Sequence, residues 1–304
     1  MESRWKSSRD IPRVVVVGDL LYDLLAKVEG SVAFGTDTFA QIRVEAGGSG
    51  ANAAAWLASS DVEAHFVGRV GDDVFGEFLA EELERMGVTP HLVRDPSMAT
   101  GKVFVLVDGA GERTMITDRG AGEALDPEDL PGSLFGGGHL HLSGYTLSGG
   151  SRRETAKRAM RMARESGMTI SVDPSSVPLL RSVGRGQFLG LTRRANLCFP
   201  NLEEGRTLAE AGDPDRIAER MLDYYAGVVL KLGAEGALYA GADGERARVR
   251  AASVRVADTT GAGDALCAGF LAARLSGAPP AEALERGVEL AAVAVERVGA
   301  RPND

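Results

Sequence analysis

The chain has 304 residues, 44% of them apolar and 25% charged, enough for one large α/β domain with a sizeable core. Its net charge of −9, from 34 basic and 43 acidic residues, argues against a nucleic-acid partner and against an anionic membrane surface. No stretch reaches the ~18 apolar residues of a membrane span, and residues 1–10 lack the apolar run of a signal peptide, reading instead as a frayed tail. The two cysteines, Cys198 and Cys267, lie in apolar segments outside any metal-spaced cluster, as expected of reduced core thiols in a cytoplasmic protein.

Residues 14–17 form a valine run closed by Gly18 and Asp19, the pattern of a fully buried strand with a site at its carboxyl end. Residues 24–45 show broken alternation and read as short strands of a small sheet. Residues 51–58 predict a helix with an alanine-rich face around Trp56. Val67 opens a glycine-punctuated turn; Phe75, Leu79, Leu83 and Met86 then recur at helical spacing until Gly87 ends the helix. Residues 103–107 and 113–117 flank Asp108-Gly109-Ala110-Gly111, a hairpin signal. This hairpin is expected to join residues 24–45 in one small sheet. From residue 138, strands at 139–143, 169–172, 196–199 and 228–232 alternate with helices near 152–166, 214–225, 262–276 and 281–297. That rhythm implies a mostly parallel sheet with helices on both faces and ligands outside the carboxyl ends of the strands. No repeat, low-complexity tract or linker divides residues 1–304, so they are expected to form a single domain.

The chemistry concentrates in Asp258-Thr259-Thr260-Gly261-Ala262-Gly263-Asp264, just before an apolar helix containing Leu266, Phe270 and Ala273. Two glycines around one small residue let the backbone approach a ligand and leave N–H groups facing outward. Those groups and the helix dipole favour an anion such as a phosphate. An acid in the first turn then stands beside that anion, placed to accept a proton from an attacking hydroxyl while the amides stabilise a transferred phosphoryl group. A glycine-rich, Asp-capped helix start also occurs for purely structural reasons; the full seven-residue string is the more specific signal. No Gly-Lys pair followed by Ser or Thr makes a Walker A loop, and Gly47-Gly48-Ser49-Gly50 lacks dinucleotide spacing.

A second constellation, Gly47-Gly48-Ser49-Gly50-Ala51-Asn52, opens the alanine-rich helix. Its glycines allow close approach, and Asn52 offers the donor and acceptor that sugar hydroxyls need, although an Asn here also serves the helix start alone. Asp19 and Asp23 follow the first strand; an Asp can grip two hydroxyls, and a solvated loop is the competing reading. His139 and His141 share one strand face without a Cys or carboxylate nearby, so structural or substrate-edge roles are expected rather than a metal. Asp173-Pro174 ends a strand, as a turn or beside a nucleotide.

Together these blocks resemble the ribokinase-like, PfkB-type family of carbohydrate kinases over nearly the whole chain. One signature is similar to residues 47–52 with Gly68-Arg69-Val70-Gly71-Asp72-Asp73-Val74-Phe75-Gly76, another to residues 258–264, and an Asn-x-x-Glu pattern appears as Asn201-Leu202-Glu203-Glu204. The resemblance implies a three-layer α/β sandwich with a mostly parallel central sheet and a small β-sheet lid, about 24–45 and 102–117, that often mediates dimerisation. It implies Asp264 as catalytic base and Gly261, Ala262 and Gly263 as anion hole. ATP would run past Lys231, Gly233, Gly236 and Asn201, with Mg²⁺ organised by Asn201 and Glu204, usually through waters. Asp23, Gly47, Gly48 and Asn52 match substrate positions. Asp258, the Thr260 backbone and the loop near 299–303 match a monovalent-cation site, with K⁺ expected over Na⁺. Two departures bear on substrate: Leu21 stands where ribokinases carry Asn, and Ser143-Gly144-Tyr145 replaces a strand-end Glu. Free ribose is therefore expected to be poor. The acceptor is a hydroxymethyl group of a sugar or sugar derivative, with a nucleoside or pseudouridine kinase as alternative. A non-catalytic ligand-binding regulator is a further alternative, against which the intact Asp264 and its glycines argue.

Overall fold

The valine run at the start of the chain is the centre of the molecule. In the computed structural model, which describes residues 11–109 and 113–302, β1 (Arg13–Val17) has Val14 through Val17 wholly buried between parallel neighbours. The expectations for residues 1–10, Ala110, Gly111 and Asn303 lie outside the described residues. The chain continues through β2 (Leu21–Val28), β3 (Ala40–Gly47), α1 (Ser49–Ala58), β4 (Glu63–Gly71), α2 (Val74–Arg85), β5 (Thr89–Asp95), β6 (Thr100–Val107), β7 (Arg113–Gly120), β8 (His139–Ser143) and α3 (Gly150–Glu165). There follow β9 (Thr169–Asp173), α4 (Val177–Val183), α5 (Arg185–Thr192), β10 (Leu197–Cys198), α6 (Leu202–Ala209), α7 (Pro214–Met221), β11 (Gly227–Lys231), β12 (Ala237–Gly241), β13 (Arg246–Val249), α8 (Ala262–Leu275) and α9 (Pro280–Val295).

Nine strands form the main sheet in the order β13-β12-β11-β10-β9-β8-β1-β4-β5, parallel except where β12 and β13 return antiparallel at one edge. One core packs α3 to α7 against one face, and a second packs α1, α2, α8 and α9 against the other. The expected ribokinase-like sandwich is this three-layer arrangement. A separate sheet, β3-β2-β6-β7, joins the 24–45 region to the hairpin as expected.

Val67, where a turn is expected, is instead the middle of β4. Gly68 and Gly71 sit inside that strand because a Cβ there would lie 2.7 Å from the Phe66 ring and 2.5 Å from the Thr100 amide; glycine here permits close packing within a strand. Gly87 ends the α2 segment at φ 77°, as expected. The strands β5, β12 and β13 and the helices α4, α5 and α6 are additional to the elements expected from sequence. These elements have four to eight residues, too few for a period to stand out; β13 alternates exposed and half-buried positions, but over only four residues.

Candidate active site

The site lies where the carboxyl ends of the main sheet meet the N-termini of α1 and α8. Gly261 caps α8 at φ 77°, a conformation that glycine adopts without cost. A Cβ at that position would lie 2.1 Å from the Ala300 carbonyl oxygen. No side chain caps this helix; the Ala262 amide turns back to the Thr259 carbonyl at 3.4 Å, and Gly261, Ala262 and Gly263 line the cavity, a helix start suited to an anion. Gly263 lies against Lys231, whose Nζ would be 3.3 Å from a Cβ there.

Asp264 stands in the first turn of α8, and α1 reaches it from across the cavity. Ser49 Oγ donates to its Oδ1 at 3.1 Å and Asn52 Nδ2 to its Oδ2 at 3.4 Å. The approach of α1 to β1 depends on paired glycines: a Cβ on Gly50 would sit 2.7 Å from the Gly18 Cα. Burial, reinforced by the Asp173 carboxylate and opposed by Lys231, Ser49 and Asn52, pushes Asp264 up to about 7. The carboxyl therefore titrates near neutrality, the range suited to a general base.

Behind this pair runs a charged brace. Arg301 is 5% exposed; its Nε donates to Asn52 Oδ1 at 3.0 Å and its Nη2 to the Gly47 carbonyl at 2.9 Å. Thus Asn52 is oriented by Arg301 on one side and offered to Asp264 on the other. Gly47 backs Asp23, whose carboxylate occupies the space that a Cβ would need. Asp23 Oδ1 is buried without a hydrogen-bond partner. Burial, opposed by Arg301 and reinforced by Glu45, raises Asp23 to about 7. An orphaned buried oxygen in a cavity wall suits an incoming hydroxyl donor. Asp19, by contrast, is already engaged by Arg119 from β7 and Arg152 from α3, and Arg119 stacks 4.1 Å over Tyr145.

On the β11 side, Lys231 Nζ pairs with Asp173 Oδ2 at 2.6 Å. Burial opposes its charge, but Asp173 and Glu204 outweigh that and hold it protonated. Asn201 and Glu204 form a reciprocal cap on α6: the Asn201 amide donates to Glu204 Oε2 at 2.9 Å, and the Glu204 amide to Asn201 Oδ1 at 2.9 Å. Burial, opposed by Lys231 and reinforced by Asp173, raises Glu204 to about 7. Among the described residues, no three His, Cys, Asp or Glu side chains converge to hold a metal directly. The hard oxygens of Asp173, Asn201 and Glu204 nevertheless line one wall, a donor set that fits Mg²⁺ held through its waters.

These walls enclose a cavity of about 970 Å³. One part is polar, with Asp19, Asp23, Asn52 and Arg119. Another is apolar, with Val254, Val256, Val288, Ala291 and Val295, and the α8 N-terminus lines it between Thr259 and Asp264. Gly48, Gly233 and Gly236 line it as well, whereas Gly47 supports Asp23 from behind and Asp258 braces the α8 loop. Asp19 and Asp173, ambiguous in the sequence between loop and ligand roles, both line the cavity, and Ser49, Arg119, Arg152, Arg301 and Arg113 join this network without a part in the sequence expectations. Isolated arginines far apart in sequence carry no local signal; only the strand ends that gather them do. His139 and His141 are buried, bonded to Thr169 and Ser171 at 2.7–2.8 Å and held neutral by burial, the structural role expected of them.

Comparison with known proteins finds relatives over nearly the whole chain. The model of the pfkB family carbohydrate kinases matches residues 12–304. An ATP-dependent ribose-1-phosphate kinase from Halopiger xanaduensis is 32% identical over 292 residues, 95% of this chain and 94% of that one. The crystal structure of adenosine kinase from Sinorhizobium meliloti superposes with a TM-score of 0.86 at 26% identity, covering 96% of both chains. Aminoimidazole riboside kinase from Salmonella enterica, complexed with aminoimidazole riboside and an ATP analogue, gives a TM-score of 0.78 at 25% identity, covering 95% of each.

Proposed function

The chain belongs to the pfkB family of carbohydrate kinases, and from that membership and the site geometry we propose that it transfers the ATP γ-phosphoryl group to a hydroxymethyl group of a sugar derivative. Asp264 carries this reading: one carboxyl at a glycine-lined helix N-terminus, titrating near neutrality, with sugar-facing polar groups on its other side. The acceptor hydroxyl attacks the γ-phosphorus, the new O–P bond forms as the bond to the β-phosphate oxygen breaks, and the hydroxyl proton passes to Asp264. The amides of Gly261, Ala262 and Gly263 face the charge that develops on the equatorial oxygens. Lys231, Gly233, Gly236 and Asn201 would hold the phosphates of ATP, and the apolar wall of Val256, Val288 and Val295 would take its base. Bound Mg²⁺ would neutralise phosphate charge, its waters oriented by Asn201 and Glu204. Activity is therefore expected to vanish on removal of divalent cations.

Asp23, Gly48 and Asn52 hold the sugar, with Gly47 behind Asp23. Leu21, Val103 and Tyr145 give this part of the cavity apolar surfaces, which suit a substituent larger than that of free ribose. The Halopiger relative acts on a ribose carrying a phosphate; the Sinorhizobium and Salmonella neighbours take ribosides, which supports a nucleoside as second reading. An ATP-consumption panel of D-ribose, D-fructose, ribose 1-phosphate, adenosine and pseudouridine discriminates these. Free D-ribose is expected to show lower kcat/KM than the best substituted riboside. A deoxy analogue lacking the hydroxyl opposite Asp23 is expected to lose up to ~10⁴-fold in kcat/KM. D-Ribose matching every larger substrate would overturn the pocket reading.

The chain is read as a single domain over residues 1–304 with lid segments near 24–45 and 102–117, in a cytoplasmic setting consistent with two buried free thiols. No helix of the described residues is long and apolar enough to cross a membrane. The outer face of the small sheet supports a homodimer: Val44, Leu24, Phe104 and Ile116 stand in one cross-strand row, with Ile42 beside them, and Ile42 and Ile116 are 66% and 65% exposed. Equilibrium sedimentation is expected to show a dimer that Ile116→Glu converts to monomer; a monomeric wild-type protein would remove this element.

A further inference from the structure

The lid touches the anion-hole loop through one side chain. Arg113, on β7, donates from Nη2 to Asp258 Oδ1 at 2.6 Å and from Nη1 to the Thr260 hydroxyl. The same Asp258 oxygen accepts the Thr260 amide at 2.8 Å and its hydroxyl at 2.6 Å, while Oδ2 accepts the Gly299 amide at 3.3 Å. The Asp258 side chain is 3% exposed. Burial would raise its pKa, but the hydrogen bonds from Thr260, Arg113 and Gly299 outweigh it and hold the carboxylate down to about 2. Glu45 of β3, paired with Arg43 at 3.0 Å, lies against Gly299. β7 thus rests on the turn that leads into Gly261 and β3 on the Gly299 loop beside it, and the positive charge at that turn is a tethered guanidinium. The monovalent cation implied by the resemblance does not fit beside it, because the Arg113 guanidinium already stands on Asp258 Oδ1 and against Thr260, and a second cation there would be repelled.

Resting on the kinase reading above, we propose that Arg113 is a positioning residue that supplies the fixed positive charge at Asp258 and so makes order in the anion hole depend on lid closure. Three consequences follow. Wild-type turnover is independent of whether the buffer contains K⁺ or Na⁺. Loss of the guanidinium disorders the Thr260–Gly263 turn and falls on kcat, since misplacement of the phosphoryl-stabilising amides costs about 10- to 100-fold. A free cation then substitutes where the tethered one could not be displaced.

The test compares wild type, Arg113→Ala, Arg113→Gln and Arg113→Lys by kcat, by KM for ATP and sugar, and by melting temperature in NaCl and KCl at equal ionic strength. Wild type is expected to show equal rates and equal melting temperatures in the two salts. The Ala and Gln variants are expected to lose kcat with smaller changes in KM and to regain it on addition of low guanidinium chloride, which leaves wild type unaffected. Arg113→Lys is expected to retain most of the activity. K⁺ stimulation or K⁺ stabilisation of the wild type, wild-type kcat in the folded Ala or Gln variants, or a loss that guanidinium does not restore would each overturn the proposal. Absence of ATP-dependent phosphoryl transfer by the wild type to any acceptor would instead overturn the kinase reading, leaving the salt response of the melting temperature as the separate measure of Arg113.

Discussion

Asp264→Asn is expected to lower kcat by about 10²–10⁴-fold, the usual worth of a positioned general base, while leaving the fold and ATP binding in place. The carboxyl receives Ser49 and Asn52 on its two oxygens, and an amide keeps one acceptor for them but cannot take the hydroxyl proton. Wild-type kcat/KM is expected to rise with pH through about 7, because the base works only when ionised and burial has moved Asp264 to that range. The same substitution reads out on stability with a definite sign. The folded-state pKa lies above the ordinary carboxylate value of 3.8, so between about pH 4 and pH 7 the folded chain holds a proton that the unfolded chain releases. That contribution to stability is present at low pH and is lost as pH rises through about 7. Asp264→Asn is therefore expected to melt higher than wild type at pH 8 and to show a shallower decline from pH 5.5 to pH 8. Asp23 and Glu204, raised for the same reason, keep some of that decline in the variant. Near-normal turnover in the purified variant would remove Asp264 from the role of base.

Gly261→Ala is expected to be nearly as damaging, for a steric reason. At φ 77° any L-residue is strained, and the new methyl would start 2.1 Å from the Ala300 oxygen. That oxygen is not free to retreat, because Trp56 Nε1 donates to it at 2.9 Å. The loop must move instead, and with it the amides of Ala262 and Gly263. Loss of an anion-hole donor costs about 10²–10³-fold in kcat, and the strained backbone lowers stability by on the order of 1–3 kcal/mol. Gly244→Ala is the control: it also sits at positive φ, 94°, but has no atom within 4 Å of the added methyl. It is expected to lower the melting temperature without changing kcat. Equal kcat in wild type and Gly261→Ala would show that the turn tolerates a side chain and that its amides do not set the rate.

The Asp264 and Gly261 expectations differ in how much of them the sequence carries. The valine run, the glycine-flanked Asp264 and the Asn201–Glu204 spacing are local patterns, in which a few adjacent residues specify both conformation and chemistry. A buried parallel strand is a continuous apolar run, an anion hole is a helix start with little bulk, and a reciprocal cap is an Asn and an acid three residues apart. Hence the alternating sheet, the small second sheet and the core of the site were legible from the chain. The helices α4, α5 and α6 and the edge strands β12 and β13 were not, because segments of four to eight residues offer too few repeats for a period to stand out.

The sequence by itself thus determined the α/β architecture, the glycine-lined helix start with its acid, and the family to which the chain belongs, because each is written in contiguous residues. Only the tertiary structure decided which arginines matter. Arg119 and Arg152 meet Asp19 from 100 and 133 residues away, Arg301 reaches Asn52 across 249, and Arg113 meets Asp258 across 145. A long flexible cation has no local partner requirement and looks the same in a solvated helix as at an active site. Its role is set by which carboxylate the sheet edges and lid bring within reach, and by whether that meeting is buried.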